Sequence, residues 1–273
     1  MCSIFGIGFF KEYTLINPDT ITGVVSRLFR QAEVGGRHAS GLSIMRANEV
    51  CVLRRPKSGS KLAASGEYLD FMQESLKDLD SGSNHLTSII GHCRLPTQGC
   101  ESNNLNNHPQ VINNIIGVHN GIISNDGRLF EAFKEVLTRK AEVDTEIIFQ
   151  LIMHFSRNHK TGTIDAIRKA TPYLKGSYAC AMQNTNHPYN LYLFRHFGPI
   201  KILYYPKEKL VFFATREHFI TRAYEEFVKT GKSTPIELID NQGIAFNLWN
   251  HTFSKFLFRD DRDAQELGKY VGQ

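Results

Sequence analysis

Short β-rich runs, alternating or continuous in their apolar residues, recur at residues 3–9, 42–45, 50–54, 86–93, 115–119, 177–182, 191–194, 210–214, 244–248 and 255–258. A two-residue period turns one face of each run toward a core, and runs of about four to eight residues suit strands. Helical spacing appears in four places. These are Ile21, Val24, Val25, Leu28 and Phe29 after Asp19; Leu129, Phe133, Val136 and Leu137; Ile147, Ile148, Leu151 and Ile152 after Asp144; and residues 219–228. The helices come in blocks, and the closely spaced runs between 177 and 214 leave no room for the crossover helices of a parallel sheet. The pattern predicts an α+β fold in which two mainly antiparallel sheets stack and are covered by helices.

The chain shows no internal repeat and no long linker. A polar stretch at 81–84 and a charged tail at 259–273 interrupt the pattern, which predicts one domain over 1–258 followed by the tail. With 273 residues, 41% of them hydrophobic and 22% charged, a sizeable core is within reach. There is no stretch of roughly 18 consecutive apolar residues and no basic-then-apolar leader, so a cytoplasmic, membrane-free protein is expected.

The five cysteines (Cys2, Cys51, Cys93, Cys100, Cys180) are an odd, scattered set and read as free thiols. A net charge of +5 is small for this length, so the basic runs at 54–57 and 201–209 read as solvated loops and not as a nucleic-acid surface. No glycine-rich phosphate loop is present, so no nucleotide cofactor is expected. A metal is not expected either. His92, Cys93, Cys100 and His108 lack zinc-ligand spacing, and adjacent His92 and Cys93 would point to opposite faces of a strand.

The candidate chemistry starts at Met1-Cys2-Ser3-Ile4-Phe5-Gly6. Removal of Met1 would give Cys2 both a thiol nucleophile and an α-amine base, with a reference pKa of about 7.7 to 8.0, on one residue. Taken alone, Cys2 reads first as a small buried residue on an edge strand. In Gly117-Val118-His119-Asn120-Gly121, the Asn-Gly pair is first a tight-turn signal. Its functional reading is an oxyanion hole made of the Asn120 amide and the Gly121 N–H. Arg94, which ends a buried strand before Leu95-Pro96-Thr97-Gln98-Gly99, fits a surface ion pair or the recognition of a substrate carboxylate. Asp144, at the start of an amphipathic helix, fits a cap or a counter-charge for a substrate ammonium, and can do both.

In this order the motifs resemble the class II glutamine amidotransferases, whose glutaminase domains are of the N-terminal-nucleophile (Ntn) type. The nucleophile strand is Cys-x-Ile-x-Gly from Cys2, and Gly91 to Gly99 resembles Gly-His-x-Arg-x-x-Thr-x-Gly. Asn107-His108-Pro109 is similar to the family's His-Pro element, and Val118 to Asn125 to Val-His-Asn-Gly-x-Ile-x-Asn. Asp144-Thr145-Glu146 and Gly176-Ser177-Tyr178-Ala179 complete the set, so the resemblance spans residues 2 to 258.

The resemblance implies the four-layer αββα sandwich and L-glutamine as substrate. It implies Cys2 as nucleophile, Asn120 and Gly121 as oxyanion hole, Arg94 and Asp144 on the glutamine head group, and Thr97 as a positioning residue. It also implies ammonia delivery to a synthase, expected here on a separate polypeptide, and is compatible with a homo-oligomer. Two segments depart from the family. Gly35-Gly36-Arg37-His38-Ala39-Ser40-Gly41 stands where Arg-Gly-x-Asp/Glu-Ser-x-Gly is usual, with Arg37 the candidate to stand in for the missing arginine. Leu95-Pro96 stands where the sugar-synthase branch has Trp-Ala, so gating by a tryptophan does not transfer. Two rival functions remain: an Ntn amidohydrolase acting on another amide, and a catalytically silent regulatory subunit.

Overall fold

The computed structural model describes residues 2–14, 17–79, 85–159, 162–229 and 231–259. The polar stretch at 81–84, Met1 and the tail beyond 259 lie outside the described residues.

Two antiparallel sheets form the centre. Strands β1 (Ser3–Phe9), β2 (Ala39–Arg46), β3 (Val50–Arg55) and β4 (Leu86–Arg94) lie in the first sheet. Strands β5 (Gln110–Ile112), β6 (Ile115–Ile123), β7 (Gly176–Asn184) and β8 (Asn190–His196) lie in the second. The chain returns to the first with β9 (Lys201–Tyr205), β10 (Leu210–Ala214) and β11 (Thr234–Pro235), then ends in the second with β12 (Gln242–Asn247) and β13 (Thr252–Leu257). The strand orders are β11-β9-β10-β1-β4-β2-β3 and β13-β12-β8-β7-β6-β5.

Among the described residues, seven α-helices cover the outer faces: α1 (Pro18–Ala32), α2 (Gly59–Ala63), α3 (Gly66–Ser75), α4 (Asp126–Ala132), α5 (Thr145–His159), α6 (Thr163–Ala170) and α7 (Glu217–Phe227). Three apolar clusters separate the layers. Phe5, Ile7 and Phe9 of β1 pack with Ile21, Val25, Leu28, Phe219 and Tyr68 of α1, α7 and α3. Ile4, Ile90, Val211 and Phe213 meet Val118, Ala179, Leu193 and Ile244 between the sheets. Cys180, Met182 and Phe194 pack against Ile148, Ile152 and Ile167 of α5 and α6. Three cores between four layers make the expected αββα sandwich.

β1 keeps helix-side and sheet-side residues apart by its two-residue period: Phe5 and Ile7 face α1, while Ile4 faces the second sheet. β1 lies between β10 and β4, with Phe5 opposite both Ala214 and Gly91. The residue before β1, Cys2, is thereby delivered to one end of the sandwich.

Two sequence expectations change, and three helices were missed. The basic run at 201–209 is not a solvated loop: Ile202, Leu203 and Tyr205 are buried in β9, and the lysines sit at its ends or in the turn. The Asn120-Gly121 pair is not a turn. β6 continues through it to Ile123, held by nine consecutive pairings with β7 from Ile115↔Asn184 to Ile123↔Gly176. The short helices α2 and α3 and the amphipathic α6 were not legible as periodic segments.

Candidate active site

The polar residues singled out by sequence gather where β1, β4 and β6 end. Cys2 is half-buried, and its Sγ accepts the Leu95 N–H at 3.3 Å and lies 3.4 Å from Leu95 O. Burial raises the Cys2 thiol pKa; the Leu95 backbone hydrogen bond and the Arg94 guanidinium oppose this, and the Asp144 carboxylate adds to it. The thiol therefore lies within the electrostatic reach of both residues assigned to the substrate head group.

Asn120 is fully buried in β6. Its Nδ2 points to Thr215 Oγ1 at 3.4 Å, and its Oδ1 has no partner among the described residues. Thr215, just after β10, holds Ile4 on both sides: its Oγ1 accepts the Ile4 N–H at 2.9 Å and its own N–H donates to Ile4 O at 2.9 Å. The second residue after Cys2 and the Asn120 amide are thus joined through one hydroxyl. Gly121 has φ +152°, and a Cβ there would lie 1.9 Å from Ser177 O and 2.8 Å from His119 Nε2. Only glycine fits this position, because its backbone is pressed against β7.

Arg94 ends β4 with its guanidinium buried and turned onto its own loop. Nη1 donates to Asn107 Oδ1 at 3.1 Å, and Nη2 donates to Gly99 O at 2.8 Å and to Gln98 O. Asn107 donates in turn to Glu101 O and Asn104 Oδ1, at 2.7 and 3.0 Å. A carboxylate arriving at Arg94 competes with neutral carbonyl acceptors, an exchange that a charge-assisted fork–fork contact favours. Thr97 is exposed in the middle of this loop, unlike the other candidates.

Asp144 does not spend its carboxylate as a simple helix cap. Its Oδ2 accepts the Ile123 N–H at 2.7 Å, pinning the start of α5 to the end of β6 beside Asn120-Gly121. Thr145 Oγ1 lies 2.7 Å from His108 Nε2 and 3.1 Å from His119 Nδ1. His92 stacks on His108 with centroids 4.1 Å apart, and its Nε2 meets His119 O at 3.1 Å. Burial drives the pKa of His92 down to about 3 and that of His108 well below normal; it also lowers His119, partly opposed by Asp144. These histidines are neutral spacers under the site.

Glu146, the third residue of the Asp-Thr-Glu motif, is fully buried. It accepts the N–H groups of Lys140 and Ala141 and the Gln150 amide, which fixes the loop before α5. That loop reaches the Arg94 loop through the paired contacts of Glu142 and Asn106, at 2.7 and 2.9 Å.

Arg37 does not replace the missing family arginine. It is exposed and pairs with Glu33 at 3.3 Å. The contribution of this segment comes from Gly36 and His38. A Cβ on Gly36 would lie 2.2 Å from the Arg94 carbonyl carbon, and the His38 N–H donates to Arg94 O at 3.2 Å. The adjacent His92 and Cys93 point to opposite faces, Cys93 toward Phe29 O at 3.8 Å. A cavity of about 540 Å³ under Tyr205 and Tyr224 shares no lining residue with the Cys2 cluster.

Sequence reading missed Thr215, Asn107 as a partner of Arg94, and the anchoring role of Glu146. Thr215 carries no local signal, because it is a lone hydroxyl after an apolar strand, 211 residues from Ile4 and 95 from Asn120.

This site sits on a recognisable domain. A family model described as "Glutamine amidotransferase domain" matches residues 92–222, and the chain carries a class II glutamine amidotransferase domain of the Ntn type. Glutamine–fructose-6-phosphate aminotransferase (isomerizing) of Salmonella typhi is 34% identical over 205 residues, covering 74% of this chain and 30% of that protein. The enzyme of the same name from Streptococcus agalactiae is 26% identical over 203 residues, again with 74% and 30% covered. The chain therefore spans about a third of the length of the curated relatives it matches. The fold is that of Bacillus subtilis glutamine phosphoribosylpyrophosphate amidotransferase, with TM-score 0.62, 18% identity, and 94% of this chain and 49% of that one covered. No helix among the described residues is long and apolar enough to cross a membrane.

Proposed function

We propose that this domain is a glutaminase in which Cys2, exposed by loss of Met1, attacks the side-chain amide of L-glutamine. The observation that carries the reading is the convergence of Cys2, Arg94, Asp144 and the Thr215-linked Asn120 amide at one end of the sandwich. The freed α-amine of Cys2 takes the thiol proton, and the thiolate adds to the amide carbon. Asn120 Nδ2–H and Gly121 N–H stabilise the oxyanion. The amine then returns its proton to the leaving nitrogen, which departs as ammonia and leaves a γ-glutamyl thioester. Water adds to the thioester, releasing glutamate and the thiol.

Arg94 holds the α-carboxylate and Asp144 the α-ammonium, with Thr97 closing over the substrate from the exposed loop. A buried carboxylate and a buried guanidinium, both within electrostatic reach of one thiol, favour a zwitterionic amino acid over a plain amide. This counts against the rival amidohydrolase, and the retention of Cys2, Arg94, Asn120, Gly121 and Asp144 counts against a silent subunit. The described residues are consumed by the sandwich and its three cores, so the ammonia acceptor lies outside them. We place it on a synthase carried by a separate polypeptide, in the cytoplasm.

Ammonia release from glutamine, with intact-mass measurement of the purified chain, tests the reading. The expected result is a chain lacking Met1 that turns over glutamine. A chain that keeps Met1 and still hydrolyses glutamine would remove the α-amine base from the mechanism, and an inactive chain supplied with its partner would remove the function.

A further inference from the structure

We infer that Thr215 is a positioning residue for the oxyanion hole: its hydroxyl fixes which way the Asn120 amide faces and couples that amide to the nucleophile strand. The inference rests on the reading of the site given above and adds a residue to it.

A threonine hydroxyl has one proton to donate and two lone pairs to accept with. Thr215 Oγ1 accepts the Ile4 N–H at 2.9 Å and lies 3.4 Å from Ile4 O, which takes its proton. The remaining lone pair faces Asn120 Nδ2 at 3.4 Å. All three capacities are thereby assigned, and an Asn120 amide flipped to present Oδ1 to Thr215 would have to turn the hydroxyl proton away from Ile4 O and would leave the NH2 on the buried side where Oδ1 now has no partner among the described residues. The hydroxyl consequently selects the orientation in which the amide nitrogen faces the β1 side, where the second N–H is available to a developing oxyanion.

Burial makes this selection strong. Asn120 is fully buried, and its Oδ1 has no partner among the described residues to hold the amide from the other end. Thr215 is 8% exposed, so water does not readily take over its role. The position of Thr215 itself is over-determined: its backbone N–H extends the β1–β10 pairing onto Ile4 O at 2.9 Å. One hydroxyl thereby links β1, the strand that follows Cys2, to the Asn120 amide on the other sheet.

The test compares Thr215→Val, which keeps the shape and removes the hydroxyl, with Thr215→Ser, which keeps the hydroxyl. Thr215→Val is expected to lower kcat for glutamine hydrolysis about tenfold to a hundredfold with KM nearly unchanged, because only the oxyanion donor is disturbed. Thr215→Ser is expected to restore kcat to within about threefold. In an Asn120→Ala background the Val substitution should cost less than about twofold, since its target is gone.

The side-chain NH2 resonances of Asn120, identified by their loss in Asn120→Ala, give a readout independent of turnover. They should shift in Thr215→Val and stay near wild type in Thr215→Ser. A loss equal in both variants, a loss that persists without Asn120, or unmoved Asn120 resonances in Thr215→Val would each overturn the inference. An inactive wild type would instead count against the glutaminase reading, while the resonance shift would still decide the role of Thr215.

Discussion

The two halves of the site are built differently. Asn120 and Gly121 stand inside β6, locked by nine consecutive pairings to β7 and tied through Thr215 to β1. Arg94 stands at a strand end, and what surrounds it is a loop held by side-chain amides and by the guanidinium itself, with Thr97 and Gln98 exposed. Register in a sheet is set over the whole strand, so a group placed by it cannot drift without disturbing many hydrogen bonds. A loop laced by a few polar contacts can exchange them for a ligand. The strand half suits charge that appears only in the transition state, and the loop half suits a head group that must enter and leave.

That contrast is sharpened by substitutions in each half. Cys2→Ala should abolish glutamine hydrolysis altogether, read as ammonia release, while leaving the melting temperature close to wild type. Asn120→Ala should lower kcat by on the order of 10² to 10³ with a small change in KM, the signature of a contact made only in the transition state. Arg94→Lys should instead raise KM for glutamine by roughly tenfold or more and lower kcat less, because the point charge survives and the planar fork does not. Equal effects on kcat and KM from the two positions would erase the division of labour.

A smaller effect is expected on stability. His92 has its folded pKa pushed down to about 3 from 6.5, and His108 and His119 are lowered too, so the unfolded chain takes up protons that the folded one refuses. Stability should be fully present above pH 6.5 and fall as pH drops toward 3, by up to about 1.4 kcal/mol per pH unit for each histidine that stays neutral. Urea unfolding across this range measures the slope, and His92→Gln should flatten it by about one proton.

The same contrast explains what was legible in the sequence. β1, β4, β6, β7 and β10 could be found as short apolar runs, because nearly every residue of each is buried, with helices over one face and the other sheet over the other. The candidate catalytic residues lie in short motifs on or beside these strands, so their order along the chain was enough to bring them forward. β9 was misread because lysines sit at its ends while Ile202 and Leu203 are buried. Asn120-Gly121 was misread because its local signal is a turn, and pairing with β7 overrides it. Arg37 looked like a substitute arginine from its spacing, but helix-end geometry hands it to Glu33 and leaves Gly36 to approach Arg94. Thr215 and the Asn107 contact to Arg94 arise only when distant segments meet in space, and no local spacing encodes them.

The central claim is that Cys2 is the nucleophile, and covalent trapping tests it most directly. Treatment of the native chain with a glutamine-like diazoketone, followed by peptide mapping, should place a single adduct on Cys2 at a new N-terminus, with glutamine protecting it. An adduct on the exposed Cys100 in place of Cys2, or full glutamine hydrolysis by a chain carrying no adduct, would contradict the account.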